Sequence, residues 1–294
     1  MAGVTITLVV LFSIIPAWRG GRLAQPPRGL DELTAALAAS EPRVRARAAC
    51  ELREMGDRAA PAIAPLAALL PDGSPVENTV CERRWSRGPS DHETTPGELA
   101  ASALVAIGSR AYTALETALE SSSWIARRNA AWAFGALDDD RAAASLLPLL
   151  RDREPPVREQ TAWALGAIGS RDAVEPLLES LKDDDARVRR QAAWALGAIG
   201  DRRAGTHLAE RLRDADAAVR AQAAWAVGVV KHRDATPILL ATLKDPEAQV
   251  RRQSAWALGV IGDPAAVEPL LAALKDRDAG VRRQAAWAIG AIGR

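Results

Sequence analysis

The 294-residue chain carries 38 lysines and arginines against 37 aspartates and glutamates, which gives a net charge of +1. This balance argues against a protein that binds nucleic acid through its overall charge, although a local basic face is compatible with it. Hydrophobic residues make up 48% and charged residues 26%, which indicates a globular protein. Two cysteines exclude a disulfide-rich scaffold and a four-cysteine zinc site. The nine tryptophans, against two phenylalanines and one tyrosine, need a structural cause.

The chain begins with an apolar segment, because residues 2–18 contain no charged side chain. Its length is the short limit for a membrane-spanning helix and suits the core of a signal peptide. Basic residues follow this segment and none precedes it, so the positive-inside rule would anchor the remainder on the cytoplasmic side. A third possibility is the end of a larger membrane region. We expect residues 1–28 to be an apolar segment and linker, and the protein to be membrane-associated or exported, with a cytoplasmic protein as the alternative.

A repeat of 31 residues follows. Two weak copies come first, one at residues 44–50 with Cys50 in a position that tryptophan occupies later, and one at residues 100–104 with Ser102 there. The extra residues between these copies lie at about 71–95, a polar stretch that is typical of a loop. Six tryptophans then recur at intervals of 31 residues: Trp132, Trp163, Trp194, Trp225, Trp256 and Trp287. Such a period indicates a solenoid.

Each unit of the repeat predicts two helices. In one unit the first helix is expected at about 171–182, followed by an acidic turn at 183–185 that supplies a helix N-cap. The second helix is expected at about 186–199 and would end at Gly200 in a left-handed conformation. We count eight helix pairs between about Leu30 and Gly293. The chain is therefore predicted to be an all-α solenoid over residues 29–294, with a loop insertion at about 71–95.

The recurring pattern V-R-R-x-A-A-x-A-L-G-x-I-G-D, followed by A-V-E-P-L-L, resembles the short HEAT-like repeats of bilin lyases. The resemblance covers about nine-tenths of the chain and is specific for fold. Related repeats occur in bilin lyases, in deoxyhypusine hydroxylase and in fusions with membrane metallopeptidases. The resemblance implies that the second helices line the concave side of the solenoid.

A helical wheel of residues 186–199 places Val188, Ala192 and Leu196 on the buried face and Trp194 roughly opposite them. Together with the resemblance, this predicts a file of six tryptophans along the inner groove, about 50 Å long at 8–10 Å per helix. Two roles are open. The file could bind a partner, or each indole could lean on small residues of an adjacent repeat, such as Gly166 or Gly197, and tighten the stack.

Two columns of charged residues accompany the tryptophans. The first lies five residues before each tryptophan, and acidic turns near it favour an Asp–Arg ladder between repeats. Its members are Arg127, Arg158, Arg189, Arg220, Arg251 and Arg282. The second column faces outward beside the tryptophans, where arginines could stack on indoles or meet anionic groups. Its arginines are Arg128, Arg190, Arg252 and Arg283, with Glu159 and Ala221 in the remaining places.

The sequence contains no catalytic, cofactor or metal site that can be singled out. His92 and Glu93 lack the second histidine of a zinc-binding HExxH helix. His207 and His232 have no partners at ligand spacing and are expected to be exposed or packing residues. Cys50 is interpreted as a small residue at the rim of the core, and a Cys50–Cys81 disulfide requires an exported chain.

We therefore predict a non-catalytic scaffold that binds a protein or peptide along the concave groove, through the six tryptophans and the four outward arginines. The first alternative is a bilin-lyase-like enzyme or chromophore chaperone, because indoles can hold a planar tetrapyrrole. The second is a nucleic-acid-binding protein, since indoles stack on bases, but the net charge disfavours it. The last repeat has no polar cap, so self-association through it is also expected.

Overall fold

A computed structural model of the chain describes residues 29–77, 80–81 and 93–293. This part contains sixteen α-helices in eight consecutive pairs, which confirms the predicted all-α solenoid. The first helices of the pairs are short and run over Leu30–Ala36 (α1), Ile63–Leu69 (α3), Tyr112–Leu119 (α5), Ala143–Leu146 (α7), Val174–Ser180 (α9), Gly205–Arg211 (α11), Thr236–Thr242 (α13) and Val267–Ala273 (α15). The second helices run over Pro42–Met55 (α2), Pro96–Ile107 (α4), Trp124–Leu137 (α6), Pro155–Ile168 (α8), Ala186–Ile199 (α10), Ala217–Val229 (α12), Ala248–Ile261 (α14) and Ala279–Ile292 (α16).

The boundaries of one helix pair show how the sequence determines where the helices of each unit begin and end. Helix α10 occupies the predicted residues, with the Asp185 carboxylate accepting a hydrogen bond from the Arg187 amide and Gly200 ending the helix at φ 74°. Helix α9 is shorter than predicted. A 3₁₀ turn precedes it, and Pro176, which has no N–H, lies in its first turn. Beyond Ser180 the chain tightens into i→i+3 hydrogen bonds, such as Lys182 N to Glu179 O at 2.9 Å.

The second helices form a continuous layer, because each contacts the next from α2 to α16. The core lies between this layer and the first helices. In α10 the side chains of Val188, Ala192 and Leu196 are fully buried, as the helical wheel predicts. Burial of leucine, valine and alanine in every pair supplies the main stabilising free energy, about 25 cal/mol per Å² of apolar surface.

The insertion between α3 and α4 interrupts the period. Its two ends are joined by a short antiparallel bridge, in which Val76 N donates to Thr94 O at 2.9 Å and Thr94 N donates to Val76 O at 3.2 Å. Residues 78–79 and 82–92, including His92, lie outside the described residues, as does the apolar segment 2–18. Over the described ranges, no helix is long and apolar enough to cross a membrane.

A disulfide links Cys50 to Cys81, with their Cα atoms 5.9 Å apart. Cys50 lies in α2 at the position that tryptophan occupies in later repeats, so the bond attaches the insertion to the outward side of the second-helix layer. Cys50, Val80 and Cys81 are all buried. Val80 and Cys81 therefore lie at the N-terminal end of the surface that carries the tryptophans.

Candidate partner-binding face

The six repeated tryptophans lie on the outward side of the second helices, which is the side opposite their buried face. We call this surface the tryptophan face. Trp132 is buried at 9% exposure, the four tryptophans from Trp163 to Trp256 are half-buried, and Trp287 is 43% exposed. The surface available to a partner therefore increases along the array. Trp132 contributes least, and the face is open from Trp163 onward.

Each tryptophan from Trp163 onward packs against a glycine of the preceding second helix. A β-carbon added to Gly197 would lie 2.5 Å from Cζ3 of Trp225, and one added to Gly166 would lie 2.8 Å from Cζ3 of Trp194. The same relationship joins Gly135 to Trp163, Gly228 to Trp256 and Gly259 to Trp287. Of the two roles that the sequence leaves open, the structure thus shows packing between repeats. It leaves partner binding as a prediction for the exposed part of each indole.

The packed edge of the indole is the six-membered ring, so the pyrrole nitrogen lies on the opposite edge. Within the described residues, the buried side-chain nitrogen and oxygen atoms without a hydrogen bond are His207 Nδ1 and Thr236 Oγ1. The indole nitrogens of Trp194 and Trp225 are not among them, and neither donates to another described group. The same holds for Trp163 and Trp256, so four indole N–H donors reach solvent.

A column of amide side chains runs beside the tryptophans, three residues before each one. Its members are Asn129, Gln160, Gln191, Gln222, Gln253 and Gln284. Asn129 is buried and donates to the carbonyl of Leu70 at 2.9 Å. The five glutamines are half-buried and make no side-chain hydrogen bond to the rest of the described chain. Sequence reasoning missed this column, although the alignment that reveals the tryptophans also reveals the glutamines.

The four outward arginines divide into paired and unpaired residues. Arg128 donates to Glu98 at 2.8 Å and lies 5.6 Å from the ring centroid of Trp124, and Arg190 donates to Glu159 at 3.2 Å. Arg252 and Arg283 have no ion pair within the described residues. The tryptophan face is thus neutralised at its N-terminal end and carries free positive charge toward its C-terminal end.

The inner arginine column forms the predicted Asp–Arg ladder. Arg189 donates through Nε and Nη2 to both carboxylate oxygens of Asp214, at 2.9 and 2.8 Å, and its Nη1 donates to the carbonyl of Asp183 at 2.8 Å. The same bidentate contact, with partners 25 residues apart, joins Arg127 to Asp152, Arg158 to Asp183, Arg220 to Asp245 and Arg251 to Asp276. Arg282 bonds only to the carbonyls of Asp276 and Arg277.

The ladder lowers the pKa of its carboxylates. Burial alone would raise the pKa of Asp183, but hydrogen bonds from Arg158 and from the Asp185 amide outweigh it and hold that pKa below its ordinary value. The pKa values of Asp152, Asp214, Asp245 and Asp276 are lowered by the same kind of contact. These ion pairs stabilise the junctions between repeats, and their aspartates are not free to act as acids or bases.

The described residues contain no cluster of three histidine, cysteine, aspartate or glutamate side chains that could hold a metal ion. In the last pair, large apolar side chains are exposed, namely Leu271, Leu274 and Trp287. Self-association through this pair stays a prediction.

Comparison with known proteins identifies the repeat. The family model for HEAT repeats matches residues 143–228 and 205–290, and the model for the PBS lyase HEAT-like repeat matches residues 126–152. A comparison with curated proteins gives no significant match.

Three solved structures illustrate the likeness of the fold. YibA of E. coli is 20% identical, with a TM-score of 0.63 over 90% of this chain and 92% of its own. A Kap121p mutant is 16% identical, with a TM-score of 0.70 over 90% of this chain and 33% of its own. Kap95p, in a structure with RanGDP, is 15% identical, with a TM-score of 0.67 over 90% of this chain and 42% of its own. The repeat pattern, the helix pairs and the matching family model agree, and the chain belongs to the family of HEAT-repeat proteins.

Proposed function

We propose that the protein is a non-catalytic scaffold that binds an extended segment of a partner protein or peptide across the tryptophan face. The proposal rests on one repeated observation. Each repeat from Gln160–Trp163 to Gln253–Trp256 presents an indole N–H that reaches solvent and a glutamine amide that has no hydrogen bond to the described chain. An indole donates, whereas a glutamine amide both donates and accepts. Such a set of hydrogen-bond donors and acceptors matches the alternating N–H and C=O groups of an extended backbone.

The spacing of the repeats supports an extended ligand. Adjacent packed helices lie about 8–10 Å apart, and an extended chain rises about 3.3 Å per residue. Each repeat would therefore meet about three residues of the partner. A partner that spans four repeats would contribute about twelve residues, with alternate side chains directed at the array.

The layer that carries the face is also suited to lie on the inner side of a curved array. Glycine and alanine bring the second helices together so closely that a β-carbon on Gly166 would lie 2.7 Å from the Cα of Ala195. The described first helices make far fewer contacts with one another than the second helices do. The closer packing of the second helices favours the concave groove that the sequence predicts.

Charge and similarity give further support. The unpaired Arg252 and Arg283 would favour acidic residues toward one end of the partner, which gives the bound segment a direction. The likeness to Kap95p, which binds RanGDP in its structure, is consistent with partner binding by this fold.

The test is selection of twelve-residue peptides from a random displayed library against the full chain, followed by binding measurements with variants. The triple variant Gln191→Ala, Gln222→Ala and Gln253→Ala should weaken the selected peptides at least tenfold, because three sets of hydrogen bonds are lost. The matched control is Glu179→Ala with Glu210→Ala, on exposed positions of the first helices. Equal binding by the triple variant and the control would contradict the proposal.

The compartment is a separate proposal. We propose that the solenoid lies in an oxidising compartment, as expected for an exported or membrane-associated protein. The Cys50–Cys81 disulfide supports this, because disulfides persist mainly outside the reducing cytosol. Alkylation of the protein in fresh extracts of its native cells tests the proposal, since complete labelling of both cysteines without a reductant would contradict it.

A further inference from the structure

The junction between α12 and α13 departs from the repeat in several ways at once. At the end of three other second helices a glycine adopts the left-handed conformation, with φ between 72° and 74° at Gly169, Gly200 and Gly262. At this junction Lys231 adopts it, with φ 54°. A lysine in that region of backbone space is less stable than a glycine, so this junction tolerates a cost that the three glycine junctions avoid. Asp138 adopts the same conformation at the end of α6, and aspartate tolerates it better than lysine does.

The next residue departs as well. At equivalent positions, Asp139, Asp201 and Asp263 accept a hydrogen bond from the backbone two residues on. Asp139 and Asp201 also form an ion pair with the arginine there, at 2.8 Å for Asp201 and Arg203. Ser170, at another equivalent position, forms no such cap. His232 stands in this position and forms no such cap. The carboxylate present at those three junctions is therefore missing from this one, as it is from the junction at Ser170.

The adjacent repeat is adapted to the histidine. A β-carbon on Gly205 would lie 2.6 Å from Cγ and Nδ1 of His232, so only a glycine leaves room for the ring. The equivalent residues in other pairs carry side chains, namely Val174, Thr236 and Val267. The imidazole is therefore held in place by the packing of two repeats.

The two residues that depart from the repeat, Lys231 and His232, line a cleft of about 600 Å³. Its polar wall consists of Arg202, Lys231, His232, Arg233 and Asp234. Arg202, Lys231 and Arg233 are exposed, and none of the three has an ion pair or side-chain hydrogen bond within the described residues. With one carboxylate against three exposed cations, the cleft carries an excess of positive charge.

The remaining wall of the cleft is apolar and is formed by Val230, Val260 and Ile261. Val260 lies one helical turn beyond Trp256, so the cleft adjoins the tryptophan face without using its indoles or glutamines. Two buried side-chain atoms lack a hydrogen-bond partner in the described chain, Thr236 Oγ1 in α13 and His207 Nδ1 in α11, and neither residue lines the cleft.

We propose that this cleft binds a small organic oxyanion, either a phosphate monoester or a carboxylate. Its anionic group would be held by Arg202, Lys231 and Arg233, and its apolar body would rest on Val230 and Ile261. Arginine offers paired N–H donors that match both oxyanions, and His232 can add a further N–H. A cleft of this size is within the range of small-molecule sites. The inference is independent of peptide binding at the tryptophan face.

Isothermal titration calorimetry of the full chain with phenyl phosphate, benzoate and benzyl alcohol tests the proposal. We expect saturable binding of at least one of the two anions, and the stronger of them identifies the oxyanion class. The variant Arg202→Ser with Arg233→Ser should weaken that binding at least tenfold. The control, Arg153→Ser with Arg171→Ser, makes the same change of charge on exposed arginines outside the cleft and should leave the affinity unchanged.

The variant Lys231→Gly distinguishes a ligand-binding role of this junction from a purely structural one. It restores the residue that three other junctions use, so it should raise the melting temperature while it weakens anion binding. Three results would overturn the proposal: no saturable binding of either anion up to about 10 mM, equal binding of uncharged benzyl alcohol, or equal losses in the cleft variant and the control.

Discussion

Cζ3 of Trp225 occupies the space that a β-carbon on Gly197 would need, at 2.5 Å from its position. The bulkiest residue of one repeat is thereby matched to the smallest residue of the repeat before it. The contact explains why the two residue types recur together, three positions apart on each second helix from α6 onward.

Gly197→Ala should therefore lower stability, although alanine is the better helix former. The added methyl group would press on Trp225 and Ala226, and overpacking of this kind costs about 1–3 kcal/mol. Gly290→Ala is the control, because a β-carbon there meets nothing within 4 Å, and it should stabilise α16 by up to about 1 kcal/mol. Urea denaturation measures both, and equal shifts of the two midpoints would exclude the glycine–indole contact as a constraint.

Trp225→Phe should lower stability by about 1–2 kcal/mol, because the shorter ring withdraws from Gly197. Trp287→Phe should change it by about 0.5 kcal/mol or less, since this indole is 43% exposed. Acrylamide quenching provides a second readout. Trp287 should be quenched most readily, Trp132 least and the four central indoles to an intermediate extent. A uniformly shielded set would argue against the partner-binding face.

Arg189→Ala should destabilise the array by about 2–3 kcal/mol, less than for a fully buried ion pair because the contact is partly exposed. The substitution removes both bonds to Asp214 and leaves that carboxylate, 4% exposed, without its main partner. Arg282→Ala is the matched control, since Arg282 occupies the same repeat position but contacts only carbonyls. Thermal denaturation should show a clearly smaller loss for Arg282→Ala, and a loss of equal size would show that the carboxylate contributes little.

The pH dependence follows from the same ladder. The pKa of each ladder aspartate is lower in the folded state than its value of 3.8 in the absence of partners. Their contribution is therefore complete above about pH 5 and is lost as the pH falls below about 4, toward the folded-state pKa values. Melting temperatures between pH 7 and pH 2 check this. Asp214→Asn should be less stable at pH 7 and should lose less stability on acidification, and parallel curves would contradict the assignment.

Reduction of the Cys50–Cys81 disulfide should lower the stability of the N-terminal repeats by about 3–4 kcal/mol, because the bond closes a loop of 31 residues. Cys81→Ser should reproduce the effect of a reductant. Hydrogen exchange should locate the loss of protection in α2 and α4, and a loss spread evenly to α16 would contradict a local role.

Much of the fold follows from the sequence because each unit is repeated. The position of α10, its Asp185 cap and its Gly200 terminus are all local features of one helix. The Asp–Arg ladder is also predictable, since arginines and acidic turns share the period. The choice of Asp276 over Asp278 as the partner of Arg251 is not, because it depends on the path of the turn.

Less of the candidate site can be predicted from the sequence. A helical wheel gives the side of the helix on which Trp194 lies, but the lean of the indole onto Gly166 depends on the distance between two helices. The insertion occurs only once, so periodicity gives no information on the Val76–Thr94 bridge or on the contact between Arg128 and Glu98. The departures at Lys231 and His232 are visible in an alignment of the repeats, but the room that Gly205 makes for the imidazole is not.

The constant separation of 25 residues between each ladder arginine and its aspartate has a consequence for how such a chain can change length. Removal of residues 221–251 would join Arg220 directly to Arg252 and bring Asp276 to the distance along the chain at which Asp245 now stands. The helices on either side would meet through the same kinds of contact that they already make with their present neighbours. Whole units can therefore be gained or lost by recombination within the gene without creating a new interface, so the number of repeats can vary while the geometry of each junction is retained.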